Sequence, residues 1–237
     1  MIKISLLLGM LLLGAPVLCT HALGQTKLKT DNTAIKKIPN DQKYQYNNFQ
    51  PGLVTYNNGA MANAVLNYNF LLDEMQFINP GNDTLSLANE YLIKHVIVAQ
   101  DTFYYQPKVG YLQLVASYKP VKLGVKQTIQ MVQNEKQAAY DQSSAVSAIR
   151  QYSFYVDHNG QVKKLQAKGD VLLVKENTFY IIDQNHKVLP ASKAAILTVF
   201  QKFKDQVNAY LKANKVNWKQ EPDLKKLLEY CQGLTTS

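Results

Sequence analysis

Cysteine is nearly absent from this sequence: one copy stands at Cys19, at the end of an apolar N-terminal run, and the other at Cys231. A chain that sheds that run keeps a single thiol, so no internal disulfide can brace it and an ordinary hydrophobic core must hold the fold. Arginine is scarcer still, Arg150 being the only one among 26 basic residues. Nucleic-acid readers rely on arginine's planar fork for bidentate contacts to phosphate and guanine. No helix-turn-helix or zinc-finger spacing is present either, so nucleic acid is not an expected partner. After residue 18 no apolar run approaches the roughly 20 residues that a spanning helix needs. The net charge of +9 therefore rests on lysine and describes a lysine-coated soluble surface, with an anionic membrane face or an acidic glycan as the sharper alternative.

Equally absent are the spacings that carry catalysis or hold a cofactor. There is no Gly-x-Ser-x-Gly elbow, no phosphate-cradling glycine loop, no His-x-x-x-His pair on a helix and no Cys/His cluster, so neither a metal nor a cofactor is expected. His158 and His186 fall in the turn sequences Asp157-His158-Asn159-Gly160 and Asn185-His186-Lys187, where polar residues serve the backbone. His95 lies in a strand pattern on the side of Ile93 and Ile97.

What is present begins with Met1-Ile2-Lys3 and an almost unbroken apolar run over 4–18. A short basic region, an apolar core and the small-residue pattern Ala22-Leu23-Gly24 make an export signal over residues 1–24, cut before Gln25. Acylation of Cys19 is the competing reading. Leu18 is too large for the position before a lipid-modified cysteine, so plain cleavage is favoured. The expected location is the periplasm or the outside of the cell.

Residues 25–48 are polar, with Lys27, Lys29, Lys36 and Lys37, and read as a flexible leader. From Phe49 to residue 189 short β-branched and aromatic stretches alternate with turn signals such as Asn57-Asn58-Gly59, residues 79–83, Lys108-Val109-Gly110 and Ser117-Tyr118-Lys119-Pro120. This pattern predicts an antiparallel sheet with strands near 93–98, 102–105, 111–116 and 121–132. Within 64–78 the apolar positions are first even (Leu66, Tyr68, Phe70) and then odd (Leu71, Met75, Phe77), with Asn67 and Asn69 opposite. A bulge or sheet corner near Leu72 and Asp73 would explain that change of face and favours a strongly bent sheet, a half-barrel or a sandwich. Residues 133–151 read as a polar excursion. Two hairpins follow, turning at 157–160 and at Lys175-Glu176-Asn177.

The last segment, 190–237, changes to a helical period. Ser192 caps a first helix with the stripe Ile196, Val199, Phe200, Phe203, Val207, Tyr210 and Leu211. A second helix starts at Pro222, carries Leu224, Leu227, Leu228 and Cys231, and ends before Gly233. The fold class is thus α+β: one antiparallel, strongly bent β domain with a C-terminal pair of helices packed on it.

Asp73 and Glu74 interrupt an apolar stretch and are the strongest candidates for acid–base chemistry, although neighbours on a regular strand point to opposite faces. Phe103, Tyr104 and Tyr105, beside Pro107, are the candidate binding aromatics. The oxygen-rich loop 79–83 lacks the carboxylates of a dedicated calcium loop, and a tight turn explains it. The motifs Leu66-Asn67-Tyr68-Asn69, Leu72-Asp73-Glu74-Met75-Gln76-Phe77-Ile78 and Asp83-Thr84-Leu85, with the run from Pro190 to Leu227, resemble a group of uncharacterised exported proteins of Bacteroidota. That resemblance implies a bacterial envelope protein and carries no activity or site residues with it. The residues themselves favour a non-catalytic binding or structural role, with an envelope protein, a glycan or an apolar ligand as partner. The alternatives are a carrier of an apolar ligand in a sheet cavity and a hydrolase using Asp73 or Glu74. Intact-mass analysis of the processed protein is expected to show a chain beginning at Gln25 with no lipid; a diacylglyceryl adduct on Cys19 would contradict this.

Overall fold

The structure is a computed structural model and describes residues 25–28, 39–134, 149–152, 155–156, 162–163 and 171–236. The signal segment, the middle of the leader, most of the excursion after 134 and the turn holding His158 lie outside the described residues. The strands are β1 (Gln25–Leu28), β2 (Gln50–Tyr56), β3 (Met61–Asn69), β4 (Glu74–Ile78), β5 (Thr84–Ser86), β6 (Ile93–Val98), β7 (Asp101–Gln106), β8 (Gly110–Tyr118), β9 (Val121–Asn134), β10 (Ile149–Tyr152), β11 (Tyr155–Val156), β12 (Val162–Lys163), β13 (Val171–Asp183) and β14 (Val188–Pro190). One turn of helix, α1 (Asn40–Lys43), precedes β2, and α2 (Lys193–Val199), α3 (Lys204–Ala213) and α4 (Glu221–Thr236) close the chain. The main sheet runs β1-β13-β9-β8-β7-β6-β2-β3-β4-β5, with β10 also on β9 and β14 also on β13. Every described pairing in it is antiparallel. The fold class expected from the pattern is the one found: a large, open antiparallel sheet with C-terminal helices.

The sheet is bent hard. Tyr68 of β3 meets Phe103 of β7 and Tyr111 of β8 with ring centroids 5.6 and 5.9 Å apart. β3 and β8 stand four places apart in the strand order, and a flat ladder would hold them about 19 Å apart. Register shifts between Thr55 and Tyr56 and between Leu114 and Ala116 supply local bends of the kind that curl a sheet.

The change of face within 64–78 has a different cause from the one expected. The segment is a hairpin, with β3 and β4 joined by a turn over 70–73, so no bulge carries one strand onward. Its register pairs Leu66 with Phe77 and Tyr68 with Met75, which puts both apolar sets on one face. Asn69 builds the turn: its Oδ1 accepts from the Leu71 and Leu72 N–H groups at 3.0 and 3.3 Å, an Asx arrangement. Asp73 takes φ +56°.

A second correction concerns 175–177. β13 pairs with β9 without interruption from Val171↔Gln133 to Asp183↔Val121, so no turn exists there. The ladder's length overrides a local polar sequence. The other late hairpin is present as β11 paired with β12.

Both ends of the segment read as a flexible leader are held against the sheet. β1 pairs with β13. Residues 43–46 continue the line of β2 alongside β3: Phe70 N–H donates to the Lys43 carbonyl at 2.8 Å and Gln45 N–H to the Tyr68 carbonyl at 2.9 Å. Tyr44 is buried.

Two apolar clusters fill the concave side. One gathers Val54, Leu66, Tyr68, Met75, Val96 and Phe103 inside the curl. The other joins Val121 and Leu123 of β9 and Phe179 and Ile181 of β13 to the helices. Ser192 caps α2 as expected, its Oγ accepting from Ala195 N–H at 3.2 Å. The first helical stripe nevertheless divides into α2 and α3 through a 3-10 turn at Gln201–Phe203. Thr198 Oγ1 donates back to the Ala194 carbonyl at 2.8 Å, a side-chain bond that bends helices. α4 starts one residue before Pro222 and runs through Gly233 to Thr236, because Leu234 still packs on the core. Cys231 is fully buried on this helix, and desolvation pushes its thiol up to about 12. The thiolate is the reactive form, so thiol reagents at pH 8 are expected to label the native protein at least 100-fold more slowly than the urea-unfolded chain, and equal rates would overturn the buried placement.

Candidate functional site

The site residues expected from the sequence do not converge. Asp73 and Glu74 leave the β3–β4 turn in different directions. Asp73 Oδ1 accepts from the Tyr68 hydroxyl at 2.6 Å, while Oδ2 takes the Lys126 ammonium. Lys126 also donates to the Val109 carbonyl. The cluster sits where β9 leaves β8, since their ladder runs only from Tyr118↔Val121 to Gln113↔Val125. Gly110 leaves room for it: φ is +90°, and a β-carbon there would lie 2.0 Å from Asp73 Oδ2. Burial, and after it the charge of Asp73, raises the pKa of Tyr68, so this hydroxyl stays a neutral donor. Glu74 instead accepts through Oε2 from the Ser86 hydroxyl and, at 3.2 Å, from Gln76 Nε2.

Phe103 is buried in the core and Tyr105 packs beside it, 5.2 Å from the Tyr111 ring. Tyr104 turns to the opposite face. There its hydroxyl accepts from Lys122 Nζ at 3.1 Å, and the same ammonium lies 4.7 Å from the ring centroid. His95 lies 6.2 Å from Tyr104, and burial, with Lys94 and Lys122 nearby, lowers its pKa. His186 takes φ +61° in the turn closed by Asp183. Among the described residues no group of three His, Cys, Asp or Glu side chains is placed to hold a metal ion.

Asn67, Asn69 and Gln76 stand on the face away from the apolar stripe, and the structure buries all three. Asn67 Oδ1 accepts from Tyr46 N–H at 3.1 Å and its Nδ2 donates to the Tyr46 carbonyl at 2.8 Å, replacing a missing rung of backbone ladder. Gln76 Oε1 accepts from the Tyr44 hydroxyl at 2.8 Å and from Asn69 Nδ2 at 3.2 Å. The Tyr46 hydroxyl reaches Asp101 Oδ2, joined there by Gln45 Nε2 at 3.3 Å. Burial first, and Asp101 second, raise the Tyr46 pKa. These amides anchor the chain at 43–46, and the alternation of Asn with Leu and Tyr was their only trace in the sequence.

What sequence reasoning missed is a groove of about 780 Å³ at the open end of the curl, between β2, β3 and β4. The register Val54↔Ala62 and Gly52↔Ala64 puts Ala62 and Ala64 on the concave face with Val54, where small side chains leave space. Tyr56, Phe77 and Leu87 wall it, and the turn at Asn79, Pro80 and Asn82 rims it. Among the described residues no charged side chain lines it. Leu85, paired with Phe77, and Leu92, whose carbonyl accepts from Asn57 N–H, are exposed beside it. Alanines inside a strand give no periodic signal of their own, so the groove follows from register alone.

No protein-family model, no curated protein and no solved structure matches this chain. Replacing Asn67 by Ala strands the Tyr46 N–H and carbonyl and is expected to lower unfolding stability by about 2–3 kcal/mol, read from urea denaturation; a loss within measurement error would show that the amide bonds do not hold this segment.

Proposed function

We propose that this chain is an exported bacterial envelope protein, akin to the Bacteroidota group it resembles, that binds an apolar ligand in the open groove without turning over a substrate. The groove carries the reading: its floor and walls are apolar, its volume of about 780 Å³ lies in the range of small-molecule sites, and apolar side chains stand exposed beside it. Catalysis by contrast needs an acid, base or nucleophile free to meet a reacting atom. Asp73 is held by Tyr68 and Lys126, Glu74 by Ser86 and Gln76, and neither lines the groove. The export signal expected over residues 1–24 supports a location in the periplasm or outside the cell, where apolar molecules need a carrier or a receptor to cross water.

A neutral fluorescent probe such as N-phenyl-1-naphthylamine is expected to bind saturably, with linear alcohols displacing it about fourfold more tightly for each added methylene. Ala64→Trp, which fills the floor, is expected to weaken this at least tenfold while the fold persists by circular dichroism. Absence of saturable binding, or a hydrolase activity that vanishes when Asp73→Asn and Glu74→Gln are combined, would overturn the proposal.

A further inference from the structure

We infer that the groove selects an uncharged single-chain amphiphile, an alkyl or acyl chain ending in a hydroxyl or amide, and excludes both fatty-acid anions and alkyl amines. The inference rests on the groove reading above and names the ligand class of that same site. A charged head brought against the groove loses part of its hydration, and no described lining residue supplies a counter-charge. The twelve lining residues include no lysine, arginine, histidine, aspartate or glutamate. A desolvated ion without a counter-charge is penalised far more than a hydroxyl that keeps one hydrogen bond.

The nearest acid along the chain, Asp83, is committed to the rim turn, where its N–H donates to Asn79 Oδ1 at 2.8 Å and its Oδ2 accepts from Asn79 Nδ2 at 3.2 Å. That bonding also occupies the Asn79 amide. Asn82, on the same rim and in the left-handed region at φ +66°, keeps a side-chain amide with no hydrogen bond among the described residues. One amide donates and accepts at once, which suits a hydroxyl or amide head and offers no counter-charge to an ion of either sign. The net charge of +9 draws anions to the surface as a whole, but such attraction between exposed charges is screened within about 8 Å at physiological salt. It does not neutralise a head seated at the rim.

The test uses the full processed chain, the neutral naphthylamine probe and three ligands of one chain length: 1-decanol, decanoate and decylammonium at pH 7. Decanol is expected to displace the probe at least tenfold more tightly than either ion. Ala62→Lys, at an exposed position on the groove floor, is expected to improve decanoate at least tenfold and to weaken decylammonium. Decanoate matching decanol on the wild-type protein overturns the selectivity and leaves the groove reading standing. No displacement by any of the three overturns both. An unchanged decanoate affinity in Ala62→Lys shows that the chain lies elsewhere and overturns the assignment to this groove.

Discussion

Everything distinctive about this fold depends on bringing β3 and β4 back over β7, β8 and β9, and the contact that holds them there is small. The turn over 70–73 touches β9 through the Asp73–Lys126 ion pair, with Tyr68 bound to the other carboxylate oxygen. The two side chains remain 34 % and 16 % exposed, so the pair is worth on the order of 1 kcal/mol. Its importance is geometric. It fixes where the hairpin lands, and the aromatic packing of Tyr68 on Phe70, Phe103 and Tyr111 supplies most of the energy once it has landed.

The convex side of the same hairpin carries the complementary constraint. A curl that buries Leu66, Tyr68 and Met75 inside leaves Asn67, Asn69 and Gln76 on the outer face of β3 and β4, where Tyr44 and Tyr46 of the segment running alongside β3 bond to Gln76 and Asn67. Buried amides cost free energy unless each is bonded, and here Asn67, Asn69 and Gln76 find the backbone of Tyr46, the Tyr44 hydroxyl and one another. A fully bonded polar layer of this kind admits only one register of the covering strand. A slip of that strand by one residue would break its bonds to Asn67 and Gln76.

The groove is what remains where the described residues put no covering layer on the curl. The helices bury the β9 and β13 end of the concave face, and aromatic rings fill the middle, but past the buried Val54 the small side chains of Ala62, exposed, and Ala64, half-buried, leave the groove open. Several charged groups of this half of the molecule are bonded away from the groove: Lys122 to Tyr104, Lys126 to Asp73, Glu74 to Ser86.

Period and punctuation in the sequence determined the class: two-residue alternation with turn signals from Phe49 to 189, then a 3.6-residue stripe from Ser192, gave a bent antiparallel sheet with terminal helices and placed Cys231 inside. Those signals are local, because each strand or helix faces its core according to its own spacing. Tertiary structure alone decided the rest. The alternation around Leu72 and Asp73 was compatible with a bulge or a corner, and the bonds of Asn69 made it a turn; 175–177 looked like a turn and became mid-ladder because β9 pairs along its whole length. The candidates Asp73 and Glu74 were legible as unusual residues, yet their separation onto Lys126 and Ser86 was not, since those partners lie 53 and 12 residues away. The groove was invisible for the same reason: it is a gap between strands brought together by register and curl, and a gap has no residues of its own to read.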